Sequence, residues 1–128
     1  MKKNNKGFSL VELIIVIAIM AVLVGVLAPQ FIRYVEQSRR ARDIQTAQEI
    51  REAVLADIAD GKLKDSDSPL EPTEGKPTTL GEAPTVAGNV NGVSGYEAYF
   101  SASSGTCYVV AGNYSLTTES GASDYKNA

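Results

Sequence analysis

The chain has 128 residues, with 12 Lys and Arg against 15 Asp and Glu, a formal net charge of -3, no histidine and a single cysteine, Cys107. That length holds one modest domain, and the acidic balance argues against nucleic acid as the main partner. One cysteine excludes an intrachain disulfide, and without histidine there is neither a zinc-finger pattern nor a base to activate the thiol, so Cys107 reads as a small core residue. No glycine-rich phosphate loop and no convincing carboxylate pair stands out, so no catalytic residue, no metal ligand and no cofactor is assigned, and the chain is read as a non-enzyme.

The N-terminus is the most informative stretch. Lys2, Lys3 and Lys6 precede Gly7, and a nearly unbroken apolar run extends from Phe8 to Ala28. As a helix its roughly 21 residues rise about 30 Å, enough to cross a hydrocarbon core. The lysine leader places the N-terminus on the cytoplasmic side, with the chain beyond the apolar run facing outward. A secretory signal cleaved after Val26-Leu27-Ala28 is one alternative, but the run exceeds a usual apolar core and Pro29 would come directly after the cut. A plain single-span anchor accounts for the length but leaves Glu12 unexplained. An unpaired carboxylate near mid-membrane costs a few kcal/mol, and an intramembrane acid points to function.

Gly7-Phe8-Ser9-Leu10-Val11-Glu12-Leu13, behind a short lysine-rich leader and ahead of an apolar run reaching Pro29, resembles the processing site of type IV prepilins and type II secretion pseudopilins. The resemblance implies that a membrane prepilin peptidase cuts between Gly7 and Phe8 and methylates the new amino group of Phe8. The apolar segment then stays on the mature protein. It also implies partners: further copies of the chain in a helical filament, an inner-membrane assembly platform and an assembly ATPase. The chemistry of the junction agrees. Gly7 offers little steric hindrance in a protease cleft, and cleavage creates a positive amine that an assembled neighbour's Glu12 can meet. Two unit charges 4 Å apart attract by about 4 kcal/mol at an effective dielectric near 20.

Beyond the span, Pro29 removes a helix hydrogen bond four residues after Gly25 and so marks a kink or a stretch able to melt on assembly, with a static bend as the alternative. Helical signals resume in Phe31, Tyr34/Val35, Ala41, Ile44, Ala47, Ile50/Ala53, Val54 and Ile58, with Glu36–Arg40 and Arg39–Asp43 as i,i+4 pairs and Gly61 as the C-cap. Arg33, Arg39, Arg40 and Arg42 form the basic patch of the mature chain. They read as solvated or as pairing with acids, some on neighbouring subunits; a DNA-binding role lacks accompanying aromatics or a groove-reading motif.

Residues 61–95, with Pro69, Pro72, Pro77 and Pro84, read as a long irregular connection, either functional surface or mobile linker. Asp65-Ser66-Asp67 starts like a calcium loop, but Pro69 takes the third ligand position. Asn113-Tyr114-Ser115 is a formal glycosylation sequon of low specificity. Strand alternation appears over Tyr96–Ser101 and Thr106–Ala111, and Gly112-Asn113 suits a two-residue hairpin into Tyr114–Thr118. The expected register sets Ala111 opposite Tyr114, Val109 opposite Leu116 and Cys107 opposite Thr118. Cys107, Val109, Ala111, Tyr114 and Leu116 then face the helix. Residues 119–128 read as a frayed polar tail.

The expected fold is α+β: a long N-terminal helix, half membrane-spanning and half amphipathic, against a small antiparallel three-stranded sheet. The segments are a leader at 1–7, a transmembrane and assembly helix at 8–29, an amphipathic helix at 30–60, the connection at 61–95, a β-meander at 96–118 and the tail. The functional expectation is a pilin of a type IV pilus, with a pseudopilin of a secretion or competence system as the alternative. The precursor would be a single-pass cytoplasmic-membrane protein and the product a surface filament.

Overall fold

The computed structural model describes residues 7–128, so Lys2, Lys3 and Lys6 of the leader lie outside the described residues. The chain divides after Val35 into two units, each of which is described by itself. Helix α1, Leu10–Ala59, contributes residues to both.

In the first unit α1 has no covering. Leu13, Ile17, Met20, Leu23 and Leu27 are each more than half exposed, and α1 is long and apolar enough to cross a membrane. The helix runs unbroken through Pro29. Pro29 has no N–H for the carbonyl of Gly25, so that carbonyl lacks its normal helical donor. Both residues are helical here.

In the second unit the apolar stripe of α1 buries Ala47, Ile50, Ala53 and Val54, with Ile44 and Ile58 half-buried beside them. The stripe starts later than the sequence suggests. Phe31 and Tyr34 are exposed and belong to the first unit, and Ala41 is exposed as well. The helix ends at Gly61 as expected. Gly61 has φ 75°, its N–H donates to Ile58 O and that of Lys62 donates to Asp57 O. These two bonds satisfy terminal carbonyls in a left-handed cap that a side chain would strain.

Three antiparallel strands come next, in the order β1-β2-β3: β1 Tyr96–Ser101, β2 Thr106–Ala111 and β3 Tyr114–Ser115. Period-2 alternation sends Tyr96, Ala98 and Phe100 into the core, opposite Ala111, Val109 and Cys107. On the outer face the cross-strand pair Tyr99 and Tyr108 stack with ring centroids 5.3 Å apart. The α+β fold is thus as expected, and so is the pairing of Ala111 with Tyr114. The third strand is shorter than expected. Leu116 N–H still donates to Val109 O, but the Val109 N–H turns to Thr117 Oγ1. Thr118 does not pair with Cys107; its Oγ1 instead accepts from Gly121 N–H and caps a new helix.

That helix, α2 Glu119–Lys126, replaces the frayed tail. Polar composition hid it, because eight residues carry one core anchor, Tyr125, which is fully buried and meets Tyr114 edge-on at 5.7 Å. Gly121 permits the close approach: a Cβ there would sit 2.1 Å from the Ser115 carbonyl oxygen.

The connection at 61–95 is irregular, as expected, but pinned. Leu70 exchanges two 2.8 Å main-chain bonds with Ala98, and Ser68 Oγ accepts from Phe100 N–H, which covers the outer edge of β1. Pro77 and Val90 are buried. Asp65 and Asp67 accept from the N–H groups of Ala102 and Lys64, so these two carboxylates close the loop onto its surroundings.

Candidate assembly site

The residues around the junction are ordered by the helix start. Ser9 precedes α1 and its Oγ accepts from Glu12 N–H at 3.2 Å, while Leu13 N–H donates to Ser9 O. Ser9-Leu10-Val11-Glu12 therefore has the spacing of a capping box, with the serine-to-backbone half formed. Glu12 lies in the first helical turn and is exposed. A carboxylate there sits at the positive end of the helix dipole, which favours its charged form. Among the described residues no side chain donates to the Glu12 carboxylate. Phe8, 80% exposed, stands just before this turn, next to an open Gly7. Phe8 and Glu12 are thus both presented outward at one end of an uncovered apolar helix.

The four arginines separate. Arg33, Arg39 and Arg42 are exposed and, among the described residues, form no ion pair. Arg40 differs, because its Nε donates to Glu36 Oε2 at 2.6 Å and its terminal nitrogens reach main-chain oxygens of Asn89, Tyr125, Lys126 and Ala128. It clamps α2 and the connection onto α1 within the chain, keeping the expected Glu36–Arg40 pair. Burial pushes the Glu36 carboxyl up. Hydrogen bonds from Arg40 and the Asn89 N–H, with the charges of Arg40 and Arg39, outweigh it and hold the group below its ordinary 4.5.

The expected Arg39–Asp43 pair is also absent, since Asp43 points inward and is 1% exposed. It accepts from Ala87 N–H and Gly88 N–H at 2.8 Å, from Tyr96 OH at 3.2 Å and from Tyr125 OH at 2.5 Å. Burial and this carboxylate together push the ionisation of Tyr96 and Tyr125 far above the usual tyrosine range. Asp57, also buried, accepts from Thr78 N–H and Thr78 Oγ1. Sequence reading missed this row. Its signal was the seven-residue spacing of Glu36, Asp43, Ile50 and Asp57, which puts three acids on the buried side of a helix. Gly88 is required beside it: an added Cβ would lie 2.9 Å from Asp43 Oδ2 and 3.0 Å from both Arg40 Cγ and Tyr125 OH. Cys107 is buried, which pushes its thiol up to about 11 against the opposing charge of Arg51; it is a core residue.

The prokaryotic N-terminal methylation motif matches residues 2–28. Over 65 residues the chain is 37% identical to a type IV major fimbrial protein FimA of Dichelobacter nodosus, a match covering 51% of this chain and 41% of the relative. A second FimA of that organism is 37% identical over 62 residues, covering 48% and 40%. A fimbrial protein, also from Dichelobacter nodosus, is 32% identical over 68 residues, covering 53% and 42%. The matches thus span about two fifths of the length of these relatives, and no solved structure matches. The similarity thus lies in the N-terminal methylation segment and in about half of this chain, where it is similar to fimbrial subunits.

Proposed function

We propose that the chain is a structural subunit that polymerises into a type IV pilus filament after a prepilin peptidase cleaves between Gly7 and Phe8 and methylates the Phe8 amine. The observation that carries the reading is the uncovered apolar length of α1, headed by an exposed Phe8 and a first-turn Glu12 inside the matched motif. An isolated helix of this kind exposes far more apolar surface than a soluble monomer tolerates. Its stable settings are a bilayer before assembly and packing against further copies afterwards. Glu12 would then meet the new Phe8 amine of an adjacent copy, and Arg33, Arg39 and Arg42 would meet acids of neighbouring heads.

In this reading the precursor is a single-pass protein of the cytoplasmic membrane with its N-terminus inside. The peptidase, an assembly platform and an assembly ATPase are its partners, and the product is a surface filament. Gly25 and Pro29 supply the stretch that lengthens if the helix unwinds on packing. The test is the mature N-terminus by mass spectrometry combined with electron microscopy of labelled cells. A methylated Phe8 in long surface filaments is expected. An N-terminus at Pro29 overturns the reading, and a methylated Phe8 without surface filaments moves it to a pseudopilin of a secretion or competence system.

A further inference from the structure

The exposed apolar surface of α1 does not stop at Pro29. Phe31, Ile32 and Tyr34 are 68%, 67% and 65% exposed, and Arg33 between them is exposed too. Four successive residues at 100° per step encircle a helix completely. A surface meant for one protein neighbour is a stripe with a polar back, whereas this one is a closed ring of two aromatics, an aliphatic and a cation. Its height matters as well. The ring lies three to six residues past Ala28, about 5–9 Å beyond a span of about 30 Å, which is the depth of the headgroup layer. Aromatic side chains collect at that depth, and an arginine there lays its stem along the acyl boundary while its guanidinium reaches the phosphates.

We propose that Phe31, Ile32, Arg33 and Tyr34 form a lipid-interface belt that fixes the depth of the unassembled subunit at the outer face of the membrane, with the phospholipid headgroup layer as its ligand. The inference rests on the membrane-spanning reading of the precursor given above. With the belt at one end and the first turn carrying Glu12 at the other, Gly25 and Pro29 lie inside the bracketed span. Pulling a subunit out of the membrane therefore has to release the belt.

The chain contains no tryptophan, so single substitutions give unambiguous depth probes. The full-length protein is reconstituted into phosphatidylcholine vesicles carrying bromines at shallow or deep acyl positions, as Tyr34→Trp or as Met20→Trp. The expected result is that Trp fluorescence at position 34 is quenched most by shallow bromines, by at least twofold over deep ones, with the order reversed at position 20. Three outcomes at position 34 overturn the belt while position 20 still reports a deep site: strongest quenching by deep bromines, quenching by aqueous iodide alone, or shielding from both, which means cover by another copy. Loss of bromolipid quenching at position 20 overturns the spanning reading and the belt with it.

Discussion

One helix serves two opposite surroundings, and the contrast between its two parts explains most of the molecule. From Leu10 to Tyr34, α1 exposes its large apolar side chains on every side, while within the second unit it hides Ala47, Ile50 and Val54 completely. One continuous helix carries both parts, so helical backbone as such does not separate them. Their side-chain patterns do. The first is apolar all round, as befits lipid or a bundle of identical helices. The second is a stripe interrupted by acids, and those acids face inward to hold main-chain N–H groups of the connection. The contrast teaches that charge on a helix facing its own domain can be structural glue, while Glu12, at the head of the bare segment, is exposed and meets no side-chain donor among the described residues.

Breaking the acid row gives the largest expected effect. Asp43→Ala leaves two N–H groups and two tyrosine hydroxyls without their acceptor, at about 3–5 kcal/mol of stability for the second unit. Met20→Ala on the bare segment leaves the same unit within about 0.5 kcal/mol. Urea unfolding of the full chain in detergent, monitored by tyrosine near-ultraviolet circular dichroism, measures both. Equal losses would erase the distinction between the two parts of α1.

Gly88→Ala comes next. The added methyl crowds Asp43, Arg40 and Tyr125 together and is expected to lower stability by about 1–3 kcal/mol in the same assay. Gly25→Ala, where nothing lies within 4 Å of the new Cβ, is expected to leave the second unit unchanged.

The pH dependence sharpens the comparison further. Tyr96 and Tyr125 ionise above their ordinary 10.0 in the folded state. Their contribution is therefore complete below pH 10 and is lost as pH rises beyond it. Cys107, raised from 9.0 to about 11, adds a decline of the same sign that begins near pH 9. Glu36 has the opposite sign: held below 4.5, it stabilises above that value and its share vanishes as pH falls through its lowered folded value. This acid limb is the smallest effect, and it disappears in Glu36→Gln. Urea midpoints between pH 3 and 11 test all three, and an alkaline limb unchanged in Tyr125→Phe would remove Tyr125 from the account.

Much of the second unit was legible because its rules are local. The Gly61 cap, the Gly112-Asn113 turn and the alternation of β1 and β2 each depend on a few adjacent residues. The misreadings were of residues whose partners lie far along the chain. Asp43 looked like a surface partner for Arg39 because both sit on one helix at i,i+4, and nothing local announces Ala87, Gly88, Tyr96 and Tyr125 as competing donors. Arg40 keeps the expected pair with Glu36, but nothing local announces the main-chain oxygens of Asn89, Tyr125, Lys126 and Ala128 that it also meets. The sequence Glu119–Lys126 looked like a tail because its helix is capped by Thr118 and docked by Tyr125, features that gain meaning only once Asp43 waits in the core. Phe31 and Tyr34 fitted a helical stripe but had nothing to pack on.

The sequence by itself determined the methylation-type motif that spans Gly7 and Phe8, the bare apolar helix with Glu12 at its head, and the alternation that makes the hairpin sheet. These are encoded in spacing and in contiguous hydrophobicity, which need no distant partner to be read. Only the tertiary structure decided which charges are free and which are spent. A carboxylate or guanidinium has the same local signature whether it meets water or four donors, and what separates the two is how the connection and α2 fold back onto α1.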